Sequence, residues 1–571
     1  MRTLRVLLMF CFILLSMLPF ARAEASEPVL RYATLLGGAG YDAAGAVAID
    51  ADRSTWIGGF TSSSDFPTIG DDGLAGSADA FLMKLDASGR PIVSLIIGGS
   101  GFDEIIDLAI DGAGNVYAAG FTESSNFPTT AGALQSMFGG GPSGQKHDAV
   151  VVKLDREGNL VYATYLGGSK SDRAFGIAAD ASGRAIVVGE TASDDFPVTS
   201  GAVQSARAGG FDQFIVRLSP AGDEILRSTL LGGPGDDRGL KVAVDAAGAA
   251  YVSGWIRSAG SFPVTEGAFQ ASRPGGWDGT VTKLAADGST LLYSTYLGGS
   301  DDEIAGDIEI DREGNVYVSG LTCSSDFPVT AGVAQPASGG KCDGFVTRLS
   351  PDGTNASFST YFGASGNDEV FEVDVDLDGN VWVTGSTDAP ALSTTDDAFQ
   401  RSVRGPNDAF IAKLSADGEL LYRSLIGGDG DGTNGRGHDH VFGFDLDNGG
   451  NLRFAGSTRS MEGFPTTVDA FQSAFGGGES DAIFGILSPR RDAFDSEKLI
   501  VPVVGSTPGS LGSFFKTGVQ LHNPLDQIIS GRIVFRPQGS TDKVDETNYY
   551  LGPRETLSFP DLLPIMGASG L

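Results

Sequence analysis

The chain has 571 residues, and its 72 acidic residues outnumber 39 basic ones to give a formal net charge of -33. This excess of negative charge repels nucleic acid and anionic lipid surfaces, so we expect neither as a partner. Apolar residues make up 41% of the chain, which excludes a disordered protein, and the 83 glycines favour a fold with many short loops.

The first 23 residues predict a secretory signal peptide. Arg2 and Arg5 precede an apolar run from Val6 to Leu18, and Ala21-Arg22-Ala23 supplies the small-residue cleavage site. The run is shorter than the roughly 20 residues of a membrane span, and no later segment approaches that length. We therefore expect an exported protein without a transmembrane segment, secreted or at the cell surface, with the periplasm left open.

A glycine step after an apolar β-type run recurs along the chain at intervals of 61 to 69 residues. The first glycines of these steps are Gly37, Gly98, Gly167, Gly232, Gly298, Gly363 and Gly427. In six units an aspartate follows 13 residues later, and in the seventh we assign this position to Asp445, displaced by a five-residue insertion. The spacing indicates seven repeated units.

Each unit contains four strand-like runs. In the fifth unit they are Asp307 to Ile310, Val316 to Gly320, Gly344 to Leu349 and Ser357 to Phe362. Turns rich in Asp, Asn and Gly separate short β-branched and aromatic runs, a pattern typical of antiparallel hairpins. Four antiparallel strands per unit predict the blade of a β-propeller.

The two ends of the repeat array predict how the ring closes. The chain enters with a lone outer-type strand, Leu30 to Leu36, and leaves with a third-type strand, Asp481 to Leu487. If these two pair, every blade has four strands and no long edge is left open. The sequence therefore predicts an all-β, seven-bladed β-propeller of four-stranded blades over residues 29–488, closed by its N-terminal strand.

Several motifs carry a family resemblance. Tyr293-Ser-Thr-Tyr-Leu-Gly-Gly-Ser, Gly314-Asn-Val-Tyr-Val-Ser-Gly, Asp326-Phe-Pro-Val-Thr and Cys342-Asp-Gly-Phe-Val-Thr resemble the SBBP β-propeller repeat of bacterial exported proteins. The resemblance implies a propeller in an exported setting, and it brings no assigned catalytic residues. The first unit departs from it by a shorter loop after Phe66-Pro67, and the sixth has Ala389-Pro390 in place of Phe-Pro.

Residues 499–571 predict a separate, partial β-sandwich-like domain. Leu499 to Val504, Gly518 to Leu521 and Gly531 to Phe535 are the expected strands, and the segment resembles the start of an immunoglobulin-like sandwich. Three to five strands are too few to close a sandwich, so we expect a truncated domain or one completed by another element.

An acidic residue stands five residues after the glycine in six of the units. The six are Asp42, Asp103, Asp172, Asp237, Glu303 and Asp368. Such a ring of carboxylates can serve as a cation track, or each can accept backbone N–H groups in its own loop and lock one blade to the next. Local locking is the preferred interpretation.

Two inner strands place acidic residues where most units have small ones. Asp307 and Glu309 in the fifth unit, and Glu372 and Asp374 in the sixth, are expected to face the central channel. Hard cations such as calcium prefer several oxygen ligands, so these four residues form a candidate calcium site. The alternative is screening by channel water, with Lys241 relieving part of the repulsion.

Cys323 and Cys342 are the two cysteines left after removal of the signal peptide. Export to an oxidising compartment predicts a disulfide between them, closing the loop that carries Phe327-Pro328. Free thiols are the alternative, and a metal site is disfavoured because no histidine lies nearby in the sequence.

The sequence favours a binding role over catalysis. Four scattered histidines and the absence of nucleophile-elbow, phosphate-loop and zinc-helix motifs predict that the protein is not an enzyme. We expect a binding or scaffold protein for an unknown protein or glycan at the cell surface, using the propeller face that carries the long loops. The alternatives are a lyase or hydrolase acting on a glycan or small molecule at the channel, and a structural module that carries the C-terminal domain.

Overall fold

The computed structural model describes residues 28–69, 73–140, 147–257, 262–430, 432–433 and 436–489, together with the backbone of four short strands further along the chain. Every named element in these residues is a β-strand. None of the described residues belongs to a helix that is long and apolar enough to cross a membrane. The expected signal peptide, residues 1–23, lies outside the described residues.

Seven four-stranded antiparallel sheets follow one another around the ring. The inner strands are β2 (Asp42–Ile49), β6 (Asp103–Ile110), β10 (Asp172–Ala179), β14 (Asp237–Val244), β18 (Glu303–Ile310), β22 (Asp368–Val375) and β26 (Asp439–Leu446). The second strands are β3 (Thr55–Thr61), β7 (Val116–Thr122), β11 (Ala185–Thr191), β15 (Ala250–Ile256), β19 (Val316–Thr322), β23 (Val381–Thr387) and β27 (Leu452–Thr458).

The outer half of each blade has the same regularity. The third strands are β4 (Asp79–Leu85), β8 (Asp148–Leu154), β12 (Asp212–Leu218), β16 (Asp278–Leu284), β20 (Asp343–Leu349), β24 (Asp408–Leu414) and β28 (Asp481–Pro489). The outer strands are β5 (Pro91–Ile97), β9 (Leu160–Leu166), β13 (Ile225–Leu231), β17 (Leu291–Leu297), β21 (Ala356–Phe362), β25 (Leu420–Ile426) and, for the seventh blade, β1 (Pro28–Leu36). The seven-bladed, all-β fold is therefore confirmed.

The last blade is built from both ends of the repeat array. Its strand order is β1-β28-β27-β26, and β1 runs antiparallel to β28 from Pro28 opposite Pro489 to Leu36 opposite Ala482. This pairing makes β1 the outer strand of the seventh blade, so that the blade has all four strands. The predicted closure by the N-terminal strand is confirmed.

A β-bulge interrupts every inner strand at the same place. The pairing with the second strand shifts between Ala44 and Ala46 in the first blade, and the corresponding step recurs in the other six. The bulge exchanges the two faces of the strand, so that residues 10 and 12 after the glycine continue the buried face begun by residues 5 and 7. It therefore sets which side chains reach the channel.

The bulge also explains a glycine that recurs in each second strand. In the first blade a β-carbon on Gly59 would lie 2.0 Å from the carbonyl oxygen of Ala43, and in the fifth a β-carbon on Gly320 would lie 1.9 Å from that of Ile304. No side chain fits at this approach of two backbones, so only glycine is accommodated there.

The hydrophobic core lies between neighbouring blades. One cluster joins Trp56 and Leu82 of the first blade to Ile105 and Val150 of the second. Another joins the seventh and first blades through Phe484 and other residues that include Leu36, which is fully buried. Each blade thus completes the core of the next, and closure of the ring buries the last of these faces.

The closing strand gives a direct test of this architecture. Leu36→Ala should destabilise the protein by about 2–5 kcal/mol, the usual cost of truncating a fully buried leucine. Leu166→Ala removes the same residue type from the equivalent outer strand of the second blade, where it is also fully buried, and should cost a similar amount. Urea unfolding measures both, and a much smaller loss for Leu36→Ala would show that β1 is peripheral.

Cys323 and Cys342 form a disulfide in the fifth blade, with Cα atoms 4.0 Å apart and a sequence separation of 19. One cysteine directly follows β19 and the other directly precedes β20, so the bridge clamps the two ends of the connecting loop. A disulfide and the absence of a membrane-spanning helix among the described residues are compatible with an extracellular protein.

Removal of this bridge should be measurable. The double variant Cys323→Ser/Cys342→Ser is expected to lose about 3 kcal/mol of unfolding free energy, because a loop of this length gains that much freedom in the unfolded chain. Reductant should lower the stability of the native protein to the level of the variant and leave the variant unchanged. A native protein with two alkylatable thiols would contradict the assignment.

Beyond the propeller, the described backbone forms two antiparallel strand pairs. β29 (Val519–His522) pairs with β32 (Thr556–Phe559), and β30 (Ile529–Phe535) pairs with β31 (Asp545–Leu551). The strand expected at Leu499 to Val504 lies outside the described residues, as does most of the predicted partial sandwich.

Candidate functional site

A cavity of about 930 Å³ occupies the centre of the ring. We call the end where the inner strands begin the loop face, because it carries the glycine steps and the long loops between second and third strands. The opposite end is the turn face. Asp376–Asp378 and Asn448–Gly450 line the cavity, so it extends to the turn face. The two ends of the channel therefore differ, because the long loops that vary from blade to blade lie only at the loop face.

The part of the cavity nearer the loop face, which we call the upper tier, is a buried charge cluster around one lysine. Lys241 Nζ lies 2.6 Å from Asp107 Oδ1 and 3.7 Å from Glu372 Oε1. Burial lowers the pKa of Lys241, but the carboxylates of Asp107, Glu372 and Asp307 outweigh it and hold the pKa above its usual range. One cation thus serves three carboxylates.

The part of the cavity nearer the turn face, which we call the lower tier, has carboxylates without a lysine. Glu309, Asp374 and Asp445 come from three adjacent inner strands and line the same cavity. Burial raises the pKa of Glu309 to about 7 and that of Asp445 to about 6. The pKa of Asp374 is raised well above its usual value by burial and by the charges of Glu309 and Asp445. Burial therefore shifts all three acids of this tier toward their protonated forms.

These carboxylates accept hydrogen bonds from the backbone of the following blade. The N–H of Ile177 donates to Asp107 Oδ2 at 2.7 Å, and that of Val373 donates to Asp307 Oδ2 at 2.8 Å. Glu372 and Asp374 accept from Phe444 and Leu446 in the seventh blade, and Asp445 Oδ2 accepts from Ile49 of the first blade at 2.7 Å. The channel acids therefore link neighbouring inner strands, including the pair that closes the ring.

The four residues of the candidate calcium site all line the channel, but they are divided between the two tiers. Asp307 and Glu372 lie beside Lys241, whereas Glu309 and Asp374 lie in the lower tier. Among the described residues, no three His, Cys, Asp or Glu side chains form a group suited to hold a metal ion. Calcium binding at these positions stays a prediction.

The assignment of Asp445 to the position that lies 13 residues after the glycine in the other units, where an aspartate begins a turn, is wrong. Asp445 pairs with Arg453 within the strand ladder and faces the channel, two residues before the turn. Asp447 starts the turn, where its Oδ1 accepts the N–H groups of Gly449 and Asn451. The error arose because the length of the insertion before β26 was underestimated.

The ring of loop acids is bound locally. Asp42 Oδ2 accepts the N–H of Gly38 at 2.8 Å and the hydroxyl of Ser63 at 2.7 Å, and Asp42 Oδ1 accepts the hydroxyl of Thr61 at 2.5 Å. The other five acids predicted from the sequence, namely Asp103, Asp172, Asp237, Glu303 and Asp368, occupy the same position at the start of their inner strands. Asp439 is the seventh member, which the insertion concealed in the sequence. This geometry is a blade-locking contact.

The channel mouth on the loop face breaks the repeat. The second residues of the seven inner strands are Ala43, Glu104, Arg173, Arg238, Ile304, Glu369 and His440. Burial raises the pKa of Glu369 to about 7, and it raises the pKa of Glu104 to about 7 against the opposing charge of Arg173. Burial, with the nearby cationic groups, lowers the pKa of His440 to about 4. Acidic, basic and neutral polar groups thus share one rim.

Aromatic rings surround these groups in the third and fourth blades. Trp255 and Trp277 stack with centroids 4.8 Å apart, and Arg238 lies 4.9 Å above the Trp255 ring. Arg257 is exposed and lies 5.7 Å above Trp277. Buried Glu190 contacts Arg238, which holds that arginine at the mouth. Stacked rings with flanking cations provide flat apolar surface beside hydrogen-bond donors.

The disulfide position carries different chemistry in other blades. Cys323 and Cys342 correspond to Glu123 and His147 in the second blade, where Glu123 Oε1 lies 3.0 Å from His147 Nε2. In the fourth blade they correspond to the Arg257–Trp277 pair just described. The backbone holds these two positions together in every blade, and the side chains there vary.

Sequence reasoning missed several residues of the site. Asp107 and Asp445 belong to the channel acids, and Glu190 supports the mouth, although it lies on a second strand. Counting residues from each glycine step would have found Asp107 at the channel position. Glu190 stands out as the acidic residue in the run Ala185–Thr191, which is otherwise small, apolar or hydroxylic. The pairing of Trp255 with Trp277 has no local signal, because the two residues come from strands joined by a long loop.

The repeated chemistry of these blades has a counterpart in a known family. The family model described as the SBBP β-propeller repeat matches residues 292–328 and 358–390. The chain carries SBBP β-propeller repeats. Each matched SBBP segment runs from the outer strand of one blade into the second strand of the next, so the sequence repeat is offset from the structural blade.

A curated relative and solved structures show further similarity. The chain is 27% identical over 361 residues to the regulatory protein FlaEY of Caulobacter vibrioides, and the match covers 60% of this chain and 35% of the relative. The chain thus spans about a third of that relative's length. A protein of unknown function from Dyadobacter fermentans has a TM-score of 0.34 at 13% identity, covering 67% of this chain and 93% of that one. Sqt1 from Chaetomium thermophilum has a TM-score of 0.39 at 11% identity, covering 80% and 99%.

Lys241 should be essential to the stability of the channel. Lys241→Met leaves three buried carboxylates without their cation, so we expect a loss of about 3–5 kcal/mol at pH 8. The loss should be smaller at pH 5, because burial raises the pKa values of Asp307 and Glu372, which then take up protons. Lys170→Met removes a lysine whose partner is the exposed Asp194 and should cost less than about 1 kcal/mol. Equal losses at both pH values for Lys241→Met would contradict the charge cluster.

Proposed function

We propose that the protein is an exported, non-catalytic binding protein that holds a glycan at the channel mouth on the loop face. The observation that carries the proposal is the departure from sevenfold repetition at that mouth. Positions that lock blades together keep a carboxylic acid in every blade, whereas the mouth positions include glutamate, arginine and histidine. Variation concentrated on one rim of a rigid scaffold is typical of a ligand site.

The chemistry of the mouth favours a glycan. The stacked Trp255 and Trp277 rings offer a flat apolar surface that suits the face of a sugar ring. Arg257, Glu369 and His440 supply donors and acceptors for hydroxyl or carboxylate groups. The signal-like residues 1–23 and the disulfide support placement of the protein outside the cell or at its surface.

A binding role also agrees better than catalysis with the repeated architecture. Glu104 and Glu369 are the carboxyl groups at the mouth with pKa values near 7, yet they stand on inner strands of different, non-adjacent blades. A relative named as a regulatory protein fits a binding role as well. The lyase or hydrolase alternative has no paired acid and base to support it among these residues.

Equilibrium binding to three polysaccharides tests the proposal. Polygalacturonate, dextran and chitosan supply acidic, neutral and basic sugars, and we expect at least one of them to bind. Trp277→Ala should weaken that binding at least about tenfold, which corresponds to about 1.4 kcal/mol. Leu292→Ala is the matched control, since Leu292 is exposed on the outer strand of the same blade, and it should leave binding unchanged.

The outcomes separate the parts of the proposal. Binding that Trp277→Ala does not weaken would place the site elsewhere, and no binding to any of the three would overturn the glycan assignment. New reducing ends or unsaturated products during incubation would show catalysis and overturn the non-catalytic role.

A further inference from the structure

Two buried carboxyl groups occupy equivalent positions at each junction between blades. One comes from the loop acid at the start of an inner strand, and the other is the aspartate that begins the third strand of the preceding blade. All members are at most 1% exposed. The pairs are Asp79 with Asp103, Asp148 with Asp172, Asp212 with Asp237, Asp278 with Glu303, Asp343 with Asp368, Asp408 with Asp439, and Asp481 with Asp42.

The glycine step lies between the two carboxyl groups. A β-carbon on Gly98 would lie 2.1 Å from Asp79 Oδ1 and 2.7 Å from Asp103 Oδ2, so both oxygens converge on the same glycine. The equivalent distances at Gly363 are 2.3 Å to Asp343 Oδ1 and 2.7 Å to Asp368 Oδ2. The glycine is therefore required because a side chain would occupy the space of the carboxylates.

The closing junction shows the hydrogen-bond state of one such pair. Asp481 Oδ2 accepts the N–H of Gly476 at 2.8 Å and the side-chain amide of Gln472 at 3.0 Å. Asp481 Oδ1 is buried without a hydrogen-bond partner, and a β-carbon on Gly37 would lie 2.3 Å from it. Backbone bonding holds the pair in place, since the N–H of Asp42 donates to the carbonyl of Ser480 at 2.9 Å.

Two negative charges in this position need neutralisation. Besides Asp42 and Asp481, the charged group that bears on both is Asp65, which raises the pKa of each. Calcium would require six to eight oxygen ligands, and Gly37 lies so close to the free oxygen of Asp481 that even a β-carbon there would be 2.3 Å from it. A proton needs no additional ligands and relieves the repulsion of a carboxylate pair directly.

We propose that Asp42 and Asp481 share one proton at the closing junction, so that closure of the propeller ring depends on pH. The same geometry extends the proposal to the other junctions whose third-strand aspartate has a buried, unpartnered oxygen. These aspartates are Asp79, Asp148, Asp212 and Asp343.

The direction of the pH effect follows from the shifted groups. Burial, together with the charge of Asp42, raises the pKa of Asp481 to about 7, and burial raises the pKa of Asp42. A group that binds its proton more tightly in the folded state stabilises the fold fully below its unfolded pKa. That stabilisation is lost as pH rises through the folded pKa. The ring is therefore expected to be more stable at pH 5 than at pH 8.

One junction supplies its own cation and serves as an internal comparison. Arg273 Nε lies 2.7 Å from Asp278 Oδ2 in the pair that Asp278 forms with Glu303. The arginine takes the role that the proton has at the closing junction. The two junctions should therefore respond in opposite ways to removal of the aspartate charge.

Asp481→Asn tests the proposal, because asparagine has the shape of the protonated acid and carries no charge. The variant should raise the melting temperature at pH 8 by roughly 1–2 °C, the shift that about 1 kcal/mol produces in a domain of this size, and change it little at pH 5. Asp278→Asn is the matched control and should lower the melting temperature at pH 8, because it removes the partner of Arg273. Glu224→Gln changes an exposed acid and should have no effect at either pH.

Two further measurements decide the mechanism. The infrared band of a protonated carboxylic acid should be present in the native protein at pH 6 and weaker in Asp481→Asn. If Asp481→Asn destabilises the protein equally at both pH values and leaves this band unchanged, the shared proton is excluded. If calcium chloride stabilises the native protein at pH 8 and Asp481→Asn abolishes that effect, the pair is a cation site and the proposal is wrong.

Discussion

Seven inner strands line the channel, and each has one edge with no neighbouring strand to accept its backbone N–H groups. Buried N–H groups without acceptors are costly, so the exposed inner edge constrains the whole ring. Channel carboxylates meet this need across blade boundaries, as Asp107 does for Ile177 and Asp445 does for Ile49. The last of these contacts joins the seventh blade to the first, at the same boundary where β1 pairs with β28.

This solution concentrates negative charge inside the ring. Lys241 offsets the charge of the upper tier, and in the lower tier burial favours the protonated acids, because it raises the pKa values of Glu309 and Asp374. Buried acids also serve as acceptors at the blade junctions, where they accept hydrogen bonds from N–H and hydroxyl groups of the loops around them. A substantial part of the acidic excess is thus structural, and the composition alone overstates the charge presented to a partner.

The two faces of the propeller have separate roles. The turn face repeats one arrangement in most blades, in which the turn aspartate pairs with a basic residue of the third strand, as Lys413 does with Asp376 at 2.8 Å. The loop face repeats its blade-locking acids but varies the rim, where Glu104, Arg173 and His440 replace one another. Such a division lets a ligand site change residue by residue while the cores between blades stay intact.

The sequence by itself determined the number of blades, the four strands of each, the closing strand and the cysteine pair. These features depend on local chemistry that repeats: glycine steps, Asp/Asn/Gly turns and two-residue alternation are legible without knowledge of contacts. Alternation also identified Asp307, Glu309, Glu372 and Asp374 as channel residues, although the bulge that makes their face the channel face was not visible.

Only the tertiary structure decided how the acids divide into tiers, which blade accepts which N–H, and which side chains meet at the mouth. Asp107 and Lys241 are 134 residues apart, and a repeat pattern gives no sign that their inner strands place them in contact. Asp445 was misplaced because its position was counted from the glycine step, and an insertion shifts every residue that follows it in such a count. The hydrogen-bonded register of β26 with β27 does not depend on the length of the insertion. Contacts across a ring depend on its curvature and closure, and those arise only when all seven blades are packed together.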